Sequence, residues 1–220
     1  MPASRARLID LEMRAYREVW DLQHRLHDRV SAGVDPQTWI FVEHRPVVTL
    51  GRNASDANVL LGQEALAAQG IDFVRIERGG DVTYHGPGQL VVYPICRLER
   101  FREVVPLVRA LEDAVSDACR VFGVRTQRSD HAGLWVGPNQ LCAVGLAIKA
   151  MTSLHGIALN VSTDLSYDRL INPCGLKGCG LTSLSREAGR AVTMNQVKTA
   201  LRSAIERRFE LCFEELALAS

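Results

Sequence analysis

The chain has 220 residues, 47% of them hydrophobic and 23% charged, and its 26 Lys and Arg nearly balance its 25 Asp and Glu, for a formal charge of +1. A chain of that length buries roughly 70% of its unfolded surface around one core, and the balance of charge excludes both a charge-driven disordered chain and a general polyanion binder. No apolar stretch reaches the ~18 residues of a membrane span and no cleavable leader pattern opens the chain, so one cytoplasmic domain over residues 1–220 is expected, with neither nucleic acid nor membrane as partner.

In chain order, Asp10 reads as an N-cap for a helix whose apolar stripe runs through Leu11, Ala15, Val19, Leu22, Leu26 and Val30, with Gly33 as its stop. On that helix His24 and His27 fall on the solvated side. Strands are expected over 39–43 and 47–50, a short helix over 64–69, and strands over 71–76 and 90–95. Val104, Leu107, Val108, Leu111, Val115, Cys119 and Phe122 mark a second long helix. Strands over 124–127, 134–136, 141–148 and 156–161 follow, with a turn at Pro138-Asn139. Thr193-Met194-Asn195-Gln196 is a capping box, opening a helix with Val197, Leu201, Ile205, Phe209 and Cys212 on its buried stripe. The class is α+β, a mixed sheet with surrounding helices and no βαβ regularity.

Six cysteines stand at 96, 119, 142, 174, 179 and 212. They form no C-x-x-C pair, which speaks against a zinc site or a secreted disulfide framework, and Cys119, Cys142 and Cys212 read as packed apolar thiols. Cys174 and Cys179 instead lie among turn formers, Ile171-Asn172-Pro173-Cys174-Gly175-Leu176-Lys177-Gly178-Cys179-Gly180, where irregular backbone can expose a reactive thiol. A second unusual stretch is Arg78-Gly79-Gly80-Asp81-Val82-Thr83-Tyr84-His85-Gly86-Pro87-Gly88-Gln89. Its glycines can wall a pocket and aim backbone N–H groups at a ligand oxygen, yet it is neither a P-loop nor a dinucleotide fingerprint.

That stretch, continued by Leu90-Val91-Val92-Tyr93-Pro94-Ile95, resembles the signature of the lipoyl(octanoyl) transferase family. So do Glu43-His44-Arg45-Pro46-Val47-Val48-Thr49-Leu50-Gly51, Ala143-Val144-Gly145, His155-Gly156-Ile157-Ala158-Leu159-Asn160-Val161 and Ile171-Asn172-Pro173-Cys174-Gly175, in the family's order. The resemblance implies a fold similar to biotin and lipoate ligases. It also implies transfer of octanoyl from acyl carrier protein, through a cysteine thioester, to a lysine of lipoyl domains: those of 2-oxoacid dehydrogenase complexes and the glycine cleavage H protein. Cys174 is then the nucleophile. The segments Arg78, Gly79, Gly80, Asp81, Val82, Thr83, Tyr84 and His85, then Ala143, Val144 and Gly145, then Gly156, Ile157 and Ala158, bind substrate. No cofactor, ATP included, is expected, because a thioester is already activated.

The family has a lysine facing its cysteine, and at that position stands Gln140. An amide carries neither charge nor a transferable proton, so the base must be sought elsewhere. His85 and His155 are the candidates, since a neutral imidazole accepts a thiol proton near pH 7. Lys149 is an odd number of residues away and would need a bulge, such as one at Gly145, to share Gln140's face. Val144, Ile157, Tyr84 and Tyr93 are candidate walls for an acyl slot. Lys149, Arg169 and Lys177 are candidate contacts for an acidic carrier, and Cys179 is a candidate second thiol. The rival readings are an adenylating lipoate or biotin ligase, which equally expects the lysine, and a silent binding module.

Overall fold

The computed structural model describes residues 4–172 and 180–215. Strand β1 (Ser4–Arg14), helix α1 (Tyr16–Ser31) and strand β2 (Thr38–His44) come first. β1 and β2 are parallel, Arg7 opposite Thr38, so the chain opens on a βαβ unit that the sequence reading did not anticipate. Asp10 is accordingly a strand residue and not an N-cap. Leu8 packs toward one face of the sheet and Ile9 and Leu11 toward the other; pairing on both sides overrides the helical spacing that happened to extend back to Leu11. His27 is also corrected: it is buried, and its Nε2 lies 2.9 Å from the Lys149 carbonyl.

There follow β3 (Val47–Leu50), α2 (Gln63–Ala68), β4 (Asp72–Arg75), β5 (Val82–His85), β6 (Gln89–Ile95), α3 (Val104–Val121) and β7 (Gly133–Val136). β8 (Asn139–Lys149), β9 (Thr152–Asn160), β10 (Gly180–Leu181), α4 (Leu184–Glu187), α5 (Met194–Arg208) and β11 (Leu211–Glu215) complete the described chain. The main sheet runs β10-β8-β9-β6-β2-β1-β11, with β7 also paired to β8, and β4-β3-β5 form a small second sheet. The expected strand over 124–127 is only an isolated bridge from Gln127 to Trp135. Cys212 sits exposed on β11, neither in a helix nor in the core. The capping box is present: the Thr193 side chain accepts from Gln196 N, and Gln196 Oε1 from Thr193 N.

Alternation along the central strands divides the core in two. Trp39, Phe41, Leu90 and Val92 face a cluster built with α3 and α5, whereas Ile40, Val42, Val91 and Tyr93 face one built with α1. Glu112 of α3, its side chain fully buried, anchors the start of β7. It accepts from Arg109 Nη1 (2.7 Å), Arg128 Nε (2.6 Å) and Gly133 N (2.9 Å). That pairing fixes the hairpin in which Trp135 lies opposite Gln140. Among the described residues no helix is long and apolar enough to cross a membrane. The whole is the α+β arrangement expected, a mixed sheet with helices around it.

Candidate active site

The glycine-rich stretch is half strand. Val82–His85 form β5 against β3, and the preceding turn is held to the main sheet because Gly79 N donates to the Leu146 carbonyl (2.9 Å). Gly80, at φ +82°, supplies the backbone sign that an L side chain disfavours. Buried Arg78 spans the two sheets, with Nη2 on Thr49 O (2.8 Å) and Thr49 Oγ1 (3.0 Å) and Nη1 on Gly79 O (3.0 Å).

A second approach occurs on β9. Pro94 in β6 has no N–H to offer, and regular β6–β9 pairing stops at Val92 and Ile157. A Cβ at Gly156 would lie 2.0 Å from the Val92 carbonyl, so only glycine lets the strands close there. Next to it His155 takes φ +59°, a conformation that costs a non-glycine residue of order 1 kcal/mol or more, with its N–H held by Gln23 Oε1 (2.8 Å).

Between these features lies a small inner cavity, partly open to solvent. It is lined by Arg78, Gly80, Asp81, Thr83 and His85 of the loop and β5, by Ala143, Val144 and Gly145 of β8, and by Gly156, Ile157 and Ala158 of β9. Eleven of the fourteen expected substrate-binding residues therefore share one cavity; Gly79 is behind it, while Val82 and Tyr84 point the other way. Val144, Ile157 and Tyr93 are walls here as expected, and Tyr84 is not. A second small cavity, outer in the sense that it lies toward β10 and the turn over 165–170, adjoins it, sharing Thr83, Ala143 and Ala158. Its other walls include Val82, Tyr84, Gln140, Asn160, Asp164, Tyr167, Ile171 and Leu181.

Gln140 is buried, and its carbonyl accepts from Thr182 N (3.0 Å) across the β8–β10 pairing. The pairing of β7 to β8 slips by one residue between Leu134 and Trp135. A bulge of the kind that Lys149 would need is therefore present, at Leu141 and not at Gly145. It puts Gln140 in phase with Ala143 and Gly145. Lys149 shares that phase and still does not reach Gln140: it is exposed at the hairpin end opposite Thr152, nine residues and roughly 30 Å along the strand. Cys174, Lys177 and Cys179 lie outside the described residues, and Arg169 is exposed with Nε on Ser166 O (3.1 Å).

The polar end of the inner cavity was not anticipated. Tyr16 of α1 stacks on His85 (5.9 Å, 12°), and its hydroxyl donates to His155 Nδ1 (3.4 Å). His155 Nε2 faces Glu77 Oε1 at 3.4 Å, an oxygen also approached by His24 Nε2 (3.0 Å) and Trp20 Nε1 (3.3 Å). Tyr93 donates to His44 Nε2 (2.8 Å), and His85 Nδ1 donates to Gln89 Oε1 (2.7 Å). Burial pushes His44 down to about 4 and His85 to about 3, and lowers His155 despite its carboxylate neighbour. At Glu77, burial alone would raise the carboxyl; the donors His155 and Trp20 outweigh it and hold the group at about 2. The imidazoles are thus neutral at pH 7, close to the Arg78 guanidinium and the Glu77 carboxylate. Cys96 and Cys119 are pushed up to about 12, and Cys142 well above its usual value, all by burial, so none supplies a thiolate at neutral pH.

Residues 15–206 match the lipoyl protein ligase A/B catalytic domain. The chain belongs to this family. It is 42% identical over 216 residues to the octanoyltransferase of Syntrophobacter fumaroxidans, covering 97% of this chain and 95% of that one. It is also 42% identical over 204 residues to the octanoyltransferase of Bacteroides fragilis, covering 87% and 92%. Among solved structures, lipoate-protein ligase A bound with ATP superposes with a TM-score of 0.84 at 17% identity, over 98% of this chain and 90% of that one. Biotin protein ligase from Aquifex aeolicus, in complex with biotin and ATP, gives 0.56 at 17% identity over 93% and 70%. The fold is therefore the one shared by lipoate and biotin ligases.

Proposed function

We propose that octanoyl travels on Cys174, from the thioester of an acyl carrier protein in the cytoplasm to a lysine of a lipoyl domain, without ATP. The overall activity, octanoyl transfer in lipoate biosynthesis, is that of the octanoyltransferases with which the chain shares about two-fifths of its residues over nearly its whole length. The observation that carries the reading is the inner cavity. Three segments far apart in sequence converge on it, and it offers an apolar run (Val91, Ala143, Val144, Ile157, Ala158) against which an acyl chain can pack. Ile171 and Leu181, which bound the Cys174 segment in sequence, are both among the walls of the outer cavity.

The chemistry balances as two exchanges. Thiolate attack forms the Cys174 acyl–sulfur bond and breaks the donor's, and the departing thiol takes up the proton; amine attack then forms the amide and returns a proton to sulfur. The first step is near thermoneutral and the second is downhill. With Gln140 in the lysine position, the groups on the cavity lining that can exchange a proton include Asp81, His85 and His155.

Intact mass after incubation with octanoyl-carrier protein in nucleotide-free buffer tests this. A hydroxylamine-labile octanoyl adduct mapping to Cys174 and absent in Cys174→Ser is expected. Strict dependence on ATP with release of AMP would instead make the chain a ligase, and an adduct that persists in the serine variant would move the acyl group to another residue.

A further inference from the structure

The outer cavity carries groups that an acyl chain does not call for. Tyr84 and Tyr167 stack at 4.1 Å and 15° along one wall. Tyr84 is 7% exposed, yet its hydroxyl has no hydrogen-bond partner among the described residues. Asp164 lies on the same lining, exposed to solvent. Its Oδ1 accepts from Ser166 N (2.9 Å), capping the turn over 165–170. That capping bond keeps the carboxyl below its usual range, so it is ionised at neutral pH. The neighbouring cation, Arg169, adds to that lowering through its charge, while its Nε donates to the Ser166 carbonyl (3.1 Å).

We propose that this outer cavity seats the acceptor's lysine side chain, Asp164 drawing in the ammonium and the Tyr84–Tyr167 pair packing its methylenes. The inference rests on the octanoyltransferase reading above. An aliphatic stem with a cationic head matches stacked rings beside a carboxylate, whereas the phosphate of a donor's pantetheine arm would be repelled there. The two cavities share Thr83, Ala143 and Ala158, so an amine lodged in the outer one meets an acyl carbonyl presented from the inner one.

Asp164→Asn isolates the charge, because an amide oxygen still accepts from Ser166 N. About a tenfold rise in KM for the lipoyl domain is expected, with acylation by octanoyl-carrier protein and hydroxylamine cleavage of the acyl-enzyme both unchanged. Asp164→Glu should recover part of the loss. Calorimetric binding of unmodified lipoyl domain should weaken to match, a readout that needs no acyl transfer and so separates this proposal from the activity it rests on. Equal binding by both proteins overturns it, as does an equal loss toward lysine and hydroxylamine. Slower acylation with intact lipoyl-domain binding would give the cavity to the donor arm instead.

Discussion

At the scale of single residues, Gln140 is the decisive position. A cation beside the nucleophile would lower the thiol pKa, each unit being worth about 1.4 kcal/mol, and a buried amide cannot do this. Gln140→Lys is therefore expected to speed single-turnover acylation at pH 7 several-fold and to move its pH midpoint downward. The gain stays below the full increase in thiolate because nucleophilicity falls with pKa. Stopped-flow acylation across pH 6–9 checks it, and an unchanged rate and midpoint would mean that the side chain at 140 does not act on the thiol. The setting of Gln140 agrees with the sequence reading that set Lys149 aside, though for a different reason. The odd spacing was sound, and an extra residue was indeed present at Leu141, but phase says nothing about distance along a strand.

Among elements, the β8–β9 hairpin turns on Ala150 and Met151, at φ +46° and +57°. Two-residue turns of this sign favour Asn and Gly, and neither is present, so the sequence announced the strands without the turn. Ala150→Asn should stabilise the protein by about 0.5–1 kcal/mol and raise Tm by roughly 2 °C for a chain of this length, measurable by calorimetry with activity unaltered. Elsewhere the central strands and the long helices α3 and α5 were legible because alternation and helical period are written in side-chain type. β1 and β11 were not. Both are edge-region strands whose apolar residues also fit a helical period, and only pairing with each other and with β2 decides between the two. The glycine stretch and the 143–145 and 156–158 segments were legible as a site because few residue types allow such close backbone approach. Tyr16, Glu77 and the outer-cavity residues were not, since nothing local marks a tyrosine at a helix start or an aspartate in a turn as facing a cavity.

For the molecule as a whole, the buried imidazoles set an acid limit. His44, His85 and His155 all have folded pKa values below the ordinary 6.5. The unfolded chain therefore binds more protons than the native one as pH falls below that value. Their contribution is complete above about pH 6.5 and is lost on the way down toward pH 4, by up to about 1.4 kcal/mol per pH unit for each histidine. Urea midpoints are expected to be flat from pH 7 to 8 and to fall steeply between pH 6 and 4, and His85→Gln should flatten part of that slope. The strand order has a different bearing, on synthesis. β11 borders β1 alone in the main sheet, bringing Leu211 beside Ser4 and Phe213 against Trp39. A nascent chain thus carries the open edge of β1 until β11, about 200 residues later, leaves the ribosome, and for that interval an exposed, parallel-pairing edge must be kept from other chains.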